Sequence, residues 1–280
     1  MSAAITTARM THDEAILRLR EDPATAGVVR DNYLGADVRE AALRFHASAE
    51  FSEVLALVGG VRGKTVVDIG AGNGMASYAF ARSGAAEVYA IEPDDSPLVG
   101  RTAMRRVIDG LPIRSIDAFG EDLPLADGSV DVAYCRATLH HVRELDPFIA
   151  ECARVLKPGG VLLACREHVA ENARELARFL EGHPVHRLAG GENAFPLRTY
   201  TGAFVRAGLR IEAVIGQWDS VVNAFPTVAS QSELRLLARE KLRRKLGPLA
   251  PALRGLEPIA DRWIKRPLPG RLYSFLARKP

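Results

Sequence analysis

The sequence predicts an α/β fold built on a parallel sheet, and three observations carry that prediction. Short runs of branched apolar residues, such as Thr65–Ile69 (TVVDI) and Glu87–Ile91 (EVYAI), alternate with stretches of helical period, the pattern of strands covered by helices on both faces. The first run ends in a glycine turn, Gly70-Ala71-Gly72-Asn73-Gly74, where a parallel sheet places its ligand sites. A chain of 280 residues that is 48% hydrophobic can bury a substantial core, yet it contains no apolar run of the roughly 18 residues needed to span a bilayer.

Taken in order, residues 11–58 show helical patterns at 14–19 and 40–51, separated by a turn near Asn32, Tyr33, Leu34 and Gly35. They predict a helical cap over residues 1–58, before a main domain at 59–280. The first strand carries Asp68 just ahead of its turn, and the alternate glycines leave an open backbone shelf. The second strand ends at Glu92, a carboxylate able to accept hydrogen bonds from both hydroxyls of a ribose. Together the two features predict a nucleoside site. A dinucleotide loop would need a third glycine where Met75 stands, and no Gly-Lys-Ser/Thr phosphate loop occurs, so a phosphate ligand is disfavoured.

The string DIGAGNG at 68–74, with an acidic residue closing the next strand, resembles the class I S-adenosylmethionine-dependent methyltransferases. The likeness continues through residues 115–135, which look like the family's adenine-binding loop, its Leu123-Pro124 turn and the fourth strand. It includes Leu139-His140-His141-Val142 after that strand. Asp146-Pro147 reads as an N-cap opening a helix with Phe148, Cys152, Val155 and Leu156 on one face. Lys157-Pro158-Gly159-Gly160 ends that helix and leads into a fifth strand at 161–165. Over residues 50–168 the chain is similar to small-molecule methyltransferases of the ubiquinone/menaquinone-biosynthesis type. The resemblance implies a Rossmann-like, seven-stranded, mostly parallel sheet with an antiparallel last strand. It also implies S-adenosyl-L-methionine as cofactor and S-adenosylhomocysteine as product.

Carried onto these positions, the family pattern implies that Asp68 orients the methionine ammonium, directly or through water. Gly70, Ala71, Gly72 and Gly74 would give close backbone approach, with Asn73 closing the turn. Glu92 would hold the ribose, and Pro93 and Asp94 would flank the adenosine. Phe119 would pack on adenine while the Gly120 and Glu121 backbone reads its edge. Arg136 would meet the methionine end through its backbone or an acidic acceptor through its guanidinium. His140 and His141 are candidate bases or acceptor orienters, with one pointing inward and His141 preferred, against helix capping or packing for either. Glu167 and His168 at the end of the fifth strand, Tyr33 in the cap turn, and Asn193 beside Glu192 are candidates for the acceptor pocket. An exposed loop is the competing account of Glu167 and His168.

Methyl transfer itself asks for alignment and exclusion of water, and for a base only where the acceptor must lose a proton. The acceptor is expected to be a small, aromatic or amphipathic molecule methylated at O, N or C. An acceptor-side segment is placed at 167–198, a short helix at 200–209, and a sixth strand at 209–215. The family joins its last two strands by a short hairpin, but about 55 residues intervene here before a seventh strand at 271–278. Residues 216–270 are therefore read as a helical insertion. From Ser230 to Arg271 there are eleven Lys/Arg against four Asp/Glu, whereas the whole chain carries only +3. Leu234, Ala238, Leu242 and Leu246 form an apolar stripe among these charges.

A solvated face over a buried stripe is the first reading of that insertion, and peripheral contact with anionic membrane through 230–271 is the second. Nucleic acid is the third, weakened because Trp263 stands alone among aromatics there. An RNA methyltransferase and a non-catalytic S-adenosylmethionine-binding protein are the competing functions. Cys135, Cys152 and Cys165 fall in or beside core elements without metal-ligand spacing, which argues against disulfides and zinc and for a cytoplasmic protein. Tyr134 stands where a cysteine-nucleophile methyltransferase has proline, so Cys135 is assigned to the core. Oligomeric state leaves no sequence signal.

Overall fold

The apolar runs pair into one seven-stranded sheet. A computed structural model of the protein describes residues 9–142, 144–246 and 271–280. The strands are β1 (Thr65–Ile69), β2 (Glu87–Ile91), β3 (Ile113–Ile116), β4 (Val130–Arg136), β5 (Leu156–Val169), β6 (Arg210–Ile215) and β7 (Arg271–Arg278). They lie in the order 3-2-1-4-5-7-6, with β1 to β5 parallel and β7 antiparallel to both its neighbours. The order reverses between β1 and β4, which opens a crevice at their carboxyl ends.

Helices cover both faces. The elements before β1 are α1 (His12–Glu21), α2 (Ala26–Asp31), α3 (Val38–His46) and α4 (Ala49–Leu57). The pattern at 40–51 predicts one continuous helix, but the structure breaks it at Ala47, because the Ser48 hydroxyl accepts the Phe51 amide at 3.0 Å and starts a new helix. An aromatic ladder ties this layer to the sheet: Tyr33, Phe45, Phe51, Phe80 and Tyr134 meet at successive ring distances of 5.4, 5.3, 5.3 and 5.0 Å. Each such pair adds about 0.5–1.5 kcal/mol beyond its burial. Next come α5 (Met75–Arg82), α6 (Arg101–Ile108) and α7 (Leu145–Val155). Asp146 does not cap α7 as expected; it lies inside the first turn, its carboxylate drawn to Arg206 at 2.6 Å.

Between β5 and β6 the glycine- and proline-marked segment folds as α8 (Ala173–Gly182) and α9 (Pro184–Leu188), followed by α10 (Leu197–Arg206). β5 begins at Leu156, so Lys157 to Gly160 lie within the strand rather than in a turn before it. Its pairing with β7 slips between Ala164 and Glu167, where Arg166 takes a φ of 60°. This bulge buries Glu167 beneath the β4 loop. After β6, α11 (Gln231–Leu246) turns Leu234 and Ala238 inward and leaves Arg239, Lys241 and Arg244 exposed. The remainder of the predicted insertion, residues 247–270 with Trp263, lies outside the described residues, as do the orientations of Leu242 and Leu246. Among the described residues no helix is long and apolar enough to cross a membrane.

Candidate functional site

A cleft of about 510 Å³ opens at the carboxyl ends of β1, β2 and β4, within the usual range for a small-molecule site. The β1 turn forms its floor. Gly70 has a φ of +72°, and a Cβ there would lie 2.6 Å from the Thr138 side chain, so only glycine lets the turn pass beneath the β4 loop. At one end, Glu92 is 9% exposed and pins the turn: Oε2 accepts the Gly72 amide at 2.7 Å and Oε1 accepts the Asp94 amide at 2.9 Å. Burial pushes its carboxyl pKa up while those two bonds pull it down, leaving a net rise. Both oxygens retain lone pairs for a ribose.

The adenine side is built by Ala118, Phe119, Gly120 and Glu121 on the cleft wall. Phe119 is a large apolar ring on that wall, 57% exposed. Gly120 is required by packing, since a Cβ there would meet Phe148 at 2.1 Å. Pro93, Asp94, Ala71, Asn73 and Met75 also face the cleft. Asn73 does more than shape the turn, because its amide donates to the Tyr33 carbonyl at 3.0 Å and ties the helical cap to the cofactor loop.

Asp68, expected to act directly or through water, and Gly74, expected to give close backbone approach, are both set back from the cleft. Neither is on the cleft wall. Gly74 starts α5 with a φ of 81°, and Asp68 lies below the floor, fully buried, accepting Ser77 Oγ at 2.6 Å. Burial raises the Asp68 pKa to about 7, against the Ser77 bond that lowers it. A carboxyl with a folded pKa near 7 and an unfolded one near 4 keeps its proton in the native state across that window. The ligand-free protein is therefore expected to lose stability as pH rises from about 4 to 7, by on the order of 4 kcal/mol from this group. Denaturant melts of wild type and Asp68→Asn across that range check this. The variant should flatten the slope, and parallel curves would contradict the assignment.

Arg136 lines the cleft, but its guanidinium is not free for an acceptor. Nε donates to Glu50 Oε1 at 2.6 Å, and Glu50 is wholly buried. Burial works against the Arg136 charge, yet Glu50 holds its pKa above the ordinary value. The same guanidinium lies 5.4 Å from the Tyr33 ring, and Arg44 lies 4.9 Å from it. Tyr33 thus faces the cleft as a ring clamped by cations, its hydroxyl buried without a hydrogen-bond partner. Glu50 was missed from the sequence, where it is one acid among many on an amphipathic helix.

The loop after β4 separates the two histidines. His141 is on the cleft wall with its side chain 45% exposed, whereas His140 is buried behind it at 2%. Burial and the neighbouring His140 charge push the His141 pKa down, against the Glu192 and Glu167 carboxylates that pull it up. His140 goes the other way: burial opposes its charge, but the Glu167 and Glu192 carboxylates outweigh it and raise its pKa.

Glu167, expected on the acceptor wall, is fully buried beneath that loop. It accepts the Thr138 amide at 3.0 Å, the His140 amide at 3.2 Å and His140 Nδ1 at 2.7 Å. His168 is also off the cleft, its ring 4.4 Å from Phe179 and 4.9 Å from His140. Asn193 is not on the wall; its neighbour Glu192 is. Cys135 is fully buried and burial pushes its thiol far above the usual range, leaving no thiolate for nucleophilic attack.

The switch-point cleft, the glycine turn and its carboxylate have the arrangement of the class I S-adenosylmethionine-dependent methyltransferase domain, in which such a site takes S-adenosylmethionine. Residues 67–164 match the family described as a methyltransferase domain. A ubiquinone biosynthesis O-methyltransferase from Agrobacterium fabrum is 30% identical over 135 residues, 48% of this chain and 53% of that protein. The chain thus spans about half the length of that curated relative. A solved S-adenosylmethionine-dependent methyltransferase from Mesorhizobium loti superimposes with a TM-score of 0.56 at 19% identity, over 84% of this chain and 100% of the other. A geranyl diphosphate methyltransferase in complex with SAM gives 0.56 at 18% identity, over 97% of this chain and 96% of that one. At these identities the structural likeness concerns the fold.

Proposed function

We propose that this protein transfers the methyl group of S-adenosylmethionine to a small acceptor, with an oxygen as the receiving atom. The observation that carries the proposal is the continuity of one cleft from Glu92 and the glycine turn, past Arg136, to His141 and Glu192. Cofactor and acceptor then share one chamber, as in-line transfer demands. In this arrangement Glu92 takes the ribose hydroxyls and Phe119 covers the adenine. Gly70, Gly72 and the backbone of Arg136 leave room for the methionine end, while Asp68 acts from beneath, through the turn or a bridging water. The sulfonium makes its methyl electrophilic, so the protein's task is to align the acceptor and exclude water. Tyr33, on the cap, closes the chamber from above, and His141 and Glu192 meet the polar group of the acceptor. The name of the Agrobacterium fabrum relative, an O-methyltransferase of ubiquinone biosynthesis, supports oxygen and a small aromatic acceptor for this chain as well.

The test is S-adenosylhomocysteine release, read by mass spectrometry, with a panel of phenols, catechols, carboxylic acids and amines. Turnover is expected with one of the oxygen acceptors, and His141→Ala should slow it by about 10²–10³-fold. Turnover confined to amines, or unchanged in His141→Ala, would contradict the proposal.

A further inference from the structure

His141 Nε2 and a Glu192 oxygen at the acceptor end of the cleft wall, and His140 Nε2 buried just behind it, lie within 4.8 Å of one another. Glu192 Oε2 lies 3.6 Å from each of the two nitrogens. A tetrahedral ion with bonds of 2.0–2.1 Å has ligand-to-ligand edges of about 3.3 Å, so the two Glu192 edges would close by a few tenths of an ångström and the His140–His141 edge, within 4.8 Å, by up to about 1.5 Å through side-chain rotation. Oε2 is also buried and makes no hydrogen bond, on a side chain only 8% exposed. At 3.6 Å it stands within ion-pair range of both imidazoles but beyond hydrogen-bond range, and a cation seated among the three groups would satisfy it directly.

Two further features fit a metal centre. Glu167 takes His140 Nδ1 at 2.7 Å, which fixes the ring and turns Nε2 toward Glu192, where a metal ion would displace its proton, as a carboxylate behind a ligating histidine allows. Gly190 and Gly191, with φ of +80° and +87°, bend the chain so that the next residue, Glu192, enters the cleft wall.

We infer that His140, His141 and Glu192 form a binding site for a divalent first-row metal ion, of the zinc type, whose open position faces the acceptor. The donor set is two imidazoles and one carboxylate, which leaves room for a substrate oxygen. This deepens the methyl-transfer proposal and rests on it for the identity of that oxygen. The acceptor would be an ionisable hydroxyl, held by the ion and already close to losing its proton. That proton goes to solvent, the oxygen lone pair forms the O–CH3 bond, and the electron pair of the broken S–CH3 bond returns to sulfur. His141 then holds the ion instead of taking the proton itself.

The test is calorimetric titration of Zn2+ into the chelator-treated full chain, with visible spectra of the Co2+ form. One equivalent is expected to bind at micromolar strength or better, with the absorption of four-coordinate Co2+. Glu192→Gln and His141→Ala should each weaken binding at least 100-fold. Glu167→Gln, which removes the carboxylate behind His140 and one acceptor of the loop amides but no metal ligand, should weaken it about 10–100-fold. S-adenosylhomocysteine titrated into the same preparations shows that the variants remain folded. Failure to bind zinc at 10 µM, or binding undiminished in Glu192→Gln, would overturn the site. S-adenosylhomocysteine bound with zinc refused overturns the ion alone. Zinc bound with S-adenosylhomocysteine refused upholds the ion and overturns the methyl-transfer proposal.

Discussion

Glu92→Ala is expected to weaken S-adenosylmethionine and S-adenosylhomocysteine binding by about 100-fold or more, measured by calorimetry. Two losses combine. The ribose loses charge-assisted hydrogen bonds, each contributing roughly 1.5–3 kcal/mol. The turn loses its anchor, because the Gly72 and Asp94 amides that Glu92 accepts would be left without this partner. Glu92→Gln keeps an acceptor oxygen and the shape, so it should retain more affinity than the alanine variant. Equal affinity of wild type and Glu92→Ala would mean that the nucleoside lies elsewhere.

Glu50→Ala is expected to be the most destabilising single change outside the apolar core, by about 3–5 kcal/mol in denaturant unfolding. Arg136 Nε lies 2.6 Å from Glu50 and Arg166 NH1 lies 3.8 Å from it, in a region where all three side chains are at least 89% buried. Removing the single acid leaves two buried guanidinium charges without their counter-ion. Arg166 keeps its bonds to the Val222 and Phe225 carbonyls, so part of its cost is offset. Arg136 would keep only its contacts with aromatic faces. The loss should reach the cleft as well, since Arg136 and Tyr33 both line it. A change below about 1 kcal/mol would show that the pair is not the brace described here.

How much was legible in the sequence follows the range of the interactions. β1, β2 and the glycine turn were readable because a buried strand, a positive-φ turn and a terminal carboxylate are local necessities. Glu92 stands within that local signal. The side chains beyond it depend on long-range placement. Glu50 becomes the partner of Arg136, 86 residues later, only once α4 packs on the sheet. Glu167 reads as a residue at an exposed strand end, and a bulge at Arg166 buries it. His140 and His141 are adjacent in sequence and cannot both face the cleft; what divides them is Glu167, 27 residues from His140. Glu192 reaches them only through the glycine pair before it, a signal visible in the sequence without a direction. The break between α3 and α4 is local too, but the apolar stripe at 40–51 masks the Ser48 cap that interrupts it.

The central claim is that the cleft at the β1–β4 switch point is an S-adenosylmethionine site. Titration of S-adenosylhomocysteine into the wild-type protein tests it most directly, since the product binds without turnover. One molecule per chain is expected to bind at micromolar affinity. No heat of binding from a correctly folded protein, at temperatures on either side of any zero-enthalpy point, would contradict it.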